Sequence, residues 1–136
     1  AGKTWDEDER EPFRRFGEAF GMAFQIVDDV LDWTGSAEVV GKRTYADLST
    51  GKATLPLILY LASSGSLGAE VFARTVGAGA AEELAEEIHR SGALERSAGF
   101  ARAEVERAGE ALAEIPEGPG RDVMGGLLDF LLRRDR

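Results

Sequence analysis

The sequence predicts an all-α fold, a helical bundle, and three observations carry that expectation. Ala, Glu, Leu and Arg, all strong helix formers, recur throughout, while β-branched runs stay short. Asparagine is absent, so the Asn-Gly hairpin turn is too. Apolar residues at Phe13, Phe16, Phe20, Ala23, Val27 and Val30 recur in steps of three and four, the helical period.

Each element follows from local signals. The first helix is expected from Asp6 or Glu9 to Trp33, with Asp6, Glu7, Asp8 and Glu9 near its start, where anions suit the helix dipole. Pro12 marks either the first turns or a break after which the helix proper begins. Thr34-Gly35 ends it. Glycines, serines, threonines and mixed charge make 35–51 an expected long ordered loop with at most a short helical turn. A second helix is expected from Ala53 to Ser63, with Pro56 in its first turn, followed by a turn at Ser64–Gly68. Further helices are expected at Ala69–Val76, Ala81–Arg90, Leu94–Ile115 and Arg121–Arg133, with no internal repeat. The whole, 1–136, is expected to be a single helical domain.

Composition excludes several chemistries. The chain has 136 residues, with 16 Lys+Arg against 25 Asp+Glu, a formal charge of −9. That acidity argues against nucleic-acid binding, which needs clustered positive charge. With no cysteine there are no disulfides, thiolate zinc sites or cysteine nucleophiles, and a single histidine, His89, leaves no multi-histidine metal site. No apolar run approaches a membrane span and no basic-then-apolar leader opens the chain, so a soluble, cytoplasmic protein is expected.

One stretch, Gly21-Met-Ala-Phe24-Gln25-Ile-Val-Asp28-Asp29-Val-Leu-Asp32, is the most informative. Asp28 and Asp32 are four apart, one helical turn, and Asp29 flanks them three before Asp32. Like charges at this spacing repel, and the strongly apolar remainder of the helix leaves them half solvated, which raises the cost of leaving them uncompensated. A hard divalent cation removes that cost. Mg2+ is usually held by one or two carboxylates, with waters and substrate phosphates filling its shell. The cluster therefore points to a phosphate-bearing substrate. Lys42 and Lys52, each after a glycine and with Asp47 between them, are candidates to close over a metal-bound diphosphate. The segment is not a P-loop: the glycine spacing is one too long and Arg43 stands where Ser or Thr is required.

Phe24-Gln25-x-x-Asp28-Asp29-x-x-Asp32, followed by Gly41-Lys42, Asp47-Leu48, Gly51-Lys52 and Thr54-Leu55-Pro56, resembles the second aspartate-rich region of trans (head-to-tail) polyprenyl diphosphate synthases. The C-terminal Leu127–Arg134 segment is more weakly similar to that family's closing helix. Family enzymes are about twice as long, and their first aspartate-rich motif lies N-terminal to this region. The resemblance thus implies the C-terminal half of an isoprenoid-synthase-type fold: a natural subunit of a heteromeric enzyme, a cut fragment or a decayed copy.

The resemblance implies a prenyltransferase that condenses an allylic diphosphate with isopentenyl diphosphate, with Mg2+ as cofactor. It implies Asp28 as the direct metal ligand, Asp29 and Asp32 as metal ligands directly or through metal-bound water, and Lys42 and Lys52 as diphosphate-binding residues. Phe24 would border the hydrocarbon chain, Gln25 would face it or orient a ligand, and Thr54 would contribute a hydroxyl or helix-cap contact. Activity is expected only with a second subunit carrying the first aspartate-rich motif. The alternative is a regulatory or scaffolding subunit that binds a complete synthase and alters product length or stability. A terpene cyclase fits the paired glycine–lysine elements less well.

Plainer expectations cover the rest. The acidic triplet on its own reads as a solvated face, and Gly17-x-x-x-Gly21 as close helix packing. The Phe13/Phe16/Phe20/Phe24 series reads as core or partner interface, with helices of a partner facing 13–33. His89 is expected exposed near a helix end, and Arg133, Arg134 and Arg136 as compensation of the last helix dipole.

Overall fold

A computed structural model describes residue 2 and residues 4–78 and 81–134; within these, the side chains at 37, 38, 41, 45, 48, 49, 71 and 75–78 lie outside the description. The described residues form helices and connections, with no strand. In order they are α1 (Glu7–Leu31), α2 (Ala37–Ser49), α3 (Leu55–Ala78), α4 (Ala81–Arg90), α5 (Ala93–Glu114) and α6 (Pro119–Arg134). Among the described residues, no helix is long and apolar enough to cross a membrane. The chain divides into two compact units, Ala1–Val27 with Phe100–Arg136, and Asp28–Gly99.

The first unit starts with a reciprocal cap. The Glu9 amide donates to Asp6 Oδ1 at 2.8 Å and the Asp6 amide donates to Glu9 Oε2 at 3.2 Å, which satisfies donors that the first turn leaves without helical partners. Pro12 therefore lies inside α1 and not at its start. Phe16 and Ala19 of α1 bury against Ala108, Ala111 and Ile115 of the α5 end and Leu128 of α6, with Phe13 and Phe20 packed on this core. Pro119 opens α6, where its fixed φ suits the first turn and its missing N–H leaves no donor unsatisfied.

The aromatic series thus divides. Phe16 is core, and Phe20 stacks on it at 5.8 Å between centroids. Phe24 lies at the surface, with the Arg134 guanidinium 5.3 Å from its ring centroid. The close packing expected at Gly17 and Gly21 is not found among the described residues: both are exposed, and a Cβ added at either would meet nothing within 4 Å.

The second unit corrects the largest expectation. Residues 35–51 are not a loop but the helix α2 with its two boundaries. The Ser36 hydroxyl accepts from the Val39 amide at 3.4 Å, an N-cap. At the other end Gly51 adopts φ +75°, and the Lys52 amide reaches back to the Asp47 carbonyl at 2.9 Å, the left-handed closure of a helix C-terminus. The serine and glycine that read as loop content are the helix's caps.

α3 starts at Leu55, two residues later than expected, with Pro56 buried in its first turn. The turn expected at Ser64–Gly68 is a kink: Gly65 departs from helical geometry at φ 55°, ψ −136°, and the chain resumes as helix. α4 occupies its expected residues and buries Leu84, Ala85 and Ile88. These join Trp33, Val40, Leu57, Tyr60 and Ala93 in the core of this unit. His89, exposed as expected, also makes a contact that the sequence did not show: its Nε2 lies 2.8 Å from the Trp33 carbonyl oxygen.

Candidate active site

Six of the eight residues singled out in the sequence lie in the second unit: Asp28, Asp29 and Asp32 at the end of α1, Lys42 within α2, and Lys52 and Thr54 between α2 and α3. Phe24 and Gln25 are exposed on the part of α1 that belongs to the first unit.

The three aspartates do different things. A helix turns by about 100° per residue, so Asp28 and Asp32 share a face while Asp29 is rotated away from Asp28. Asp28 is half-buried, and the Asp32 side chain is 41% exposed. Asp29 is only 7% exposed. Its Oδ2 accepts from the backbone N–H of Leu55, the first residue of α3, at 3.4 Å.

The positive charges are also distinct. The Lys52 ammonium lies 3.7 Å from Asp32 Oδ2, with 45% of its side chain exposed. An exposed pair of this kind stabilises the fold by only ~0–1 kcal/mol, so it holds the lysine loosely beside the carboxylate. Lys52 follows the Gly51 closure directly, so the end of α2 sets where its backbone begins. Lys42 is exposed on α2. The sequence alone suggests both lysines on a loop, with glycine for backbone freedom. Gly41 is instead inside a helix, and Gly51 is committed to ending one.

Arg43 was missed as a site neighbour. Its guanidinium donates to the Asp32 carbonyl at 3.2 Å and to the Thr34 carbonyl at 3.5 Å, at the C-terminal end of α1. Cations there offset the partial negative charge of the last carbonyls. The signal, a base next to Lys42, could be placed only once 37–49 was known to be helical. Thr54 is buried, and its carbonyl accepts the Ile58 amide at 3.0 Å, which puts it at the N-cap of α3.

Among the described residues, no three Asp, Glu or His side chains converge as a metal cage. A divalent cation here would rest on Asp28 and Asp32 with the remaining ligands from water and phosphate, a donor set that suits Mg2+. An open depression of about 490 Å³ lined by Gly35, Val40, Ala85, Glu86, His89 and Arg90 includes none of the eight candidates.

Comparison with known proteins identifies the family of the chain. Residues 1–90 match the family model described as Polyprenyl synthetase. The chain is 39% identical over 128 residues to an all-trans-nonaprenyl-diphosphate synthase (geranyl-diphosphate specific) of Rhodobacter capsulatus, covering 92% of this chain and 39% of the relative. It superposes on the crystal structure of a polyprenyl synthase from Roseobacter denitrificans with a TM-score of 0.78 and 30% identity, over 95% of this chain and 43% of the other. A polyprenyl synthase from Caulobacter crescentus, crystallised with calcium and isoprenyl diphosphate, gives a TM-score of 0.73 and 36% identity, over 97% and 41% of the two chains. The chain spans between about a quarter and two fifths of the length of the curated relatives it matches. With the fold, the order of the motifs and the family match in agreement, the chain belongs to the polyprenyl synthetase family.

Proposed function

We propose that this chain contributes the second metal- and diphosphate-binding motif to a composite prenyltransferase site, in a cytoplasmic enzyme that condenses an allylic diphosphate with isopentenyl diphosphate. A second subunit would carry the first aspartate-rich motif. The observation that carries this reading is the neighbourhood of Asp32 and Lys52: an accessible carboxylate with an ammonium 3.7 Å away, and a second carboxylate, Asp28, one turn along the same helix. Carboxylates for a cation beside a cation for phosphate match a metal–diphosphate complex on both components. The Caulobacter crescentus relative, crystallised with calcium and isoprenyl diphosphate, supports the ligand class.

In this reading Asp28 and Asp32 hold Mg2+, and Lys52 and Lys42 act as point charges on diphosphate oxygens. Bound Mg2+ supplies neutralisation of the charge that builds on the departing diphosphate. The allylic C–O bond breaks, the isopentenyl alkene forms the new C–C bond, and a proton leaves to the released diphosphate. Phe24 borders the hydrocarbon chain and Gln25 orients a ligand beside it. Exposed apolar side chains at Val123, Leu127 and Phe130, spaced along one face of α6, support a surface completed by another polypeptide.

The test mixes the purified chain with a partner carrying the first aspartate-rich motif, both diphosphates and Mg2+. Turnover is expected only in the mixture. Turnover by the chain alone, at a rate the partner leaves unchanged, would refute the shared site.

A further inference from the structure

The sequence resemblance puts all three aspartates in the metal site, Asp28 as the direct ligand and Asp29 and Asp32 directly or through water, but the structure separates one of them. Asp29 is 7% exposed, whereas Asp28 is half-buried and the Asp32 side chain stands 41% exposed. Its Oδ2 meets the Leu55 N–H at the start of α3. We infer that Asp29 is a positioning residue: its carboxylate caps the N-terminus of α3 and so fixes the Lys52–Thr54 segment against the end of α1, while cation binding falls to Asp28 and Asp32. This rests on the metal–diphosphate site proposed above and gives the third aspartate of the motif a role beside it.

The donor inventory of α3 explains why a side chain is needed there. The first turn of a helix leaves its N–H groups without helical acceptors. In α3 the Ile58 amide already reaches the Thr54 carbonyl, and Pro56 has no N–H. Leu55 and Leu57 are left. The Leu55 donor lies next to buried Thr54 and Pro56, where water is a poor substitute. A carboxylate is well suited to it, because the helix N-terminus carries partial positive charge. Asp32 stands three positions after Asp29 and Leu55 three positions after Lys52, so one hydrogen bond between 29 and 55 constrains the register in which Lys52 meets Asp32.

The two roles make opposite demands on chemistry. A cap needs an acceptor oxygen, which Asn supplies about as well as Asp and Ala does not. A magnesium ligand needs a charged oxygen, which Asn lacks. Hydrogen exchange of the Leu55 amide, read by NMR on the full chain, measures the cap. Calorimetric binding of Mg2+ with inorganic pyrophosphate measures the site.

Asp29→Asn is expected to keep Leu55 protection and pyrophosphate affinity within about threefold of the parent, and Asp29→Ala to lower protection by about tenfold. Asp28→Asn is expected to abolish binding and leave Leu55 protected. The inference is overturned if Asp29→Asn loses affinity as Asp28→Asn does, or if Leu55 exchange ignores both Asp29 substitutions. Because Asp29→Asn is isosteric, its pyrophosphate affinity decides whether Asp29 is a cation ligand even where Asp29→Ala fails to fold. Absence of pyrophosphate binding by the parent chain would count against the proposed metal–diphosphate site, and the Leu55 exchange would still decide the cap.

Discussion

Gly51 offers a sharp test of how α2 ends, because its replacement by alanine has a magnitude that can be worked from one angle. Gly51 holds φ at +75°, and a Cβ added there would meet nothing within 4 Å. Steric collision with neighbours therefore contributes nothing, and the cost is that of forcing an L-residue into the left-handed region, ~1–2 kcal/mol. Gly126, inside α6 and exposed, has equally open space around an added Cβ but helical geometry. There the same substitution is expected to stabilise by ~0.5–1 kcal/mol, since alanine loses less backbone freedom on folding. One chemical change should thus act with opposite signs at two sites. Urea denaturation followed by helical circular dichroism measures both, provided the slope with denaturant is unchanged between variants. If Gly51→Ala is no less stable than the parent, the left-handed closure before Lys52 is refuted, and with it the account of how Lys52 is placed.

Other consequences are equally direct. Leu84 is wholly buried in the core of the second unit, so Leu84→Ala should cost ~2–5 kcal/mol, read as a lower denaturation midpoint. Burial raises the pKa of Tyr60, the Glu87 charge adds to this, the Ser64 hydroxyl opposes it, and Glu83 adds a further push upward. Because the folded-state pKa lies above the unfolded value of ~10, stability should be complete below that pH and decline as pH rises through the folded pKa. Tyr60→Phe should flatten this alkaline limb in denaturation curves; an unchanged limb would assign it to other groups. Asp28→Ala, in a mixture with a partner carrying the first aspartate-rich motif, should remove turnover with assembly intact, whereas turnover unchanged from the parent would favour a scaffolding role.

The helical character of the chain was legible because it rests on period and on composition, both of which are local. α4 could be bounded correctly because Gly92, at φ +73°, follows a short amphipathic run and Glu82 and Glu83 open it. α2 was not legible for the same kind of reason. Ser36, Gly41, Thr44, Ser49, Thr50 and Gly51 make 35–51 look like a loop, yet Ser36 and Gly51 are its caps and the Thr44 hydroxyl is satisfied by the Val40 carbonyl one turn back. Helix propensity within 37–49 is weak, and Val40, buried in the core of the second unit, shows that packing supplies what propensity lacks.

The candidate site was legible as residue types and spacing but not as roles. Helical rotation alone separates Asp29 from the Asp28 face. That Asp29 meets Leu55, twenty-six residues later, depends on how α3 packs, which no local pattern encodes. Arg43 was invisible for a related reason. Its target is a pair of backbone carbonyls, and carbonyls carry no sequence signature.

The bond between His89 and Trp33 has a practical consequence. A carbonyl oxygen can only accept, so Nε2 must carry a proton, and when the ring is neutral the lone pair sits on Nδ1. As there is one imidazole in the chain, its ring signals need no assignment among rivals. They form a built-in gauge of whether the end of α4 stays docked on the turn after α1: an Nε2 proton sheltered from solvent marks the closed state, and a ring sampling both tautomers marks separation.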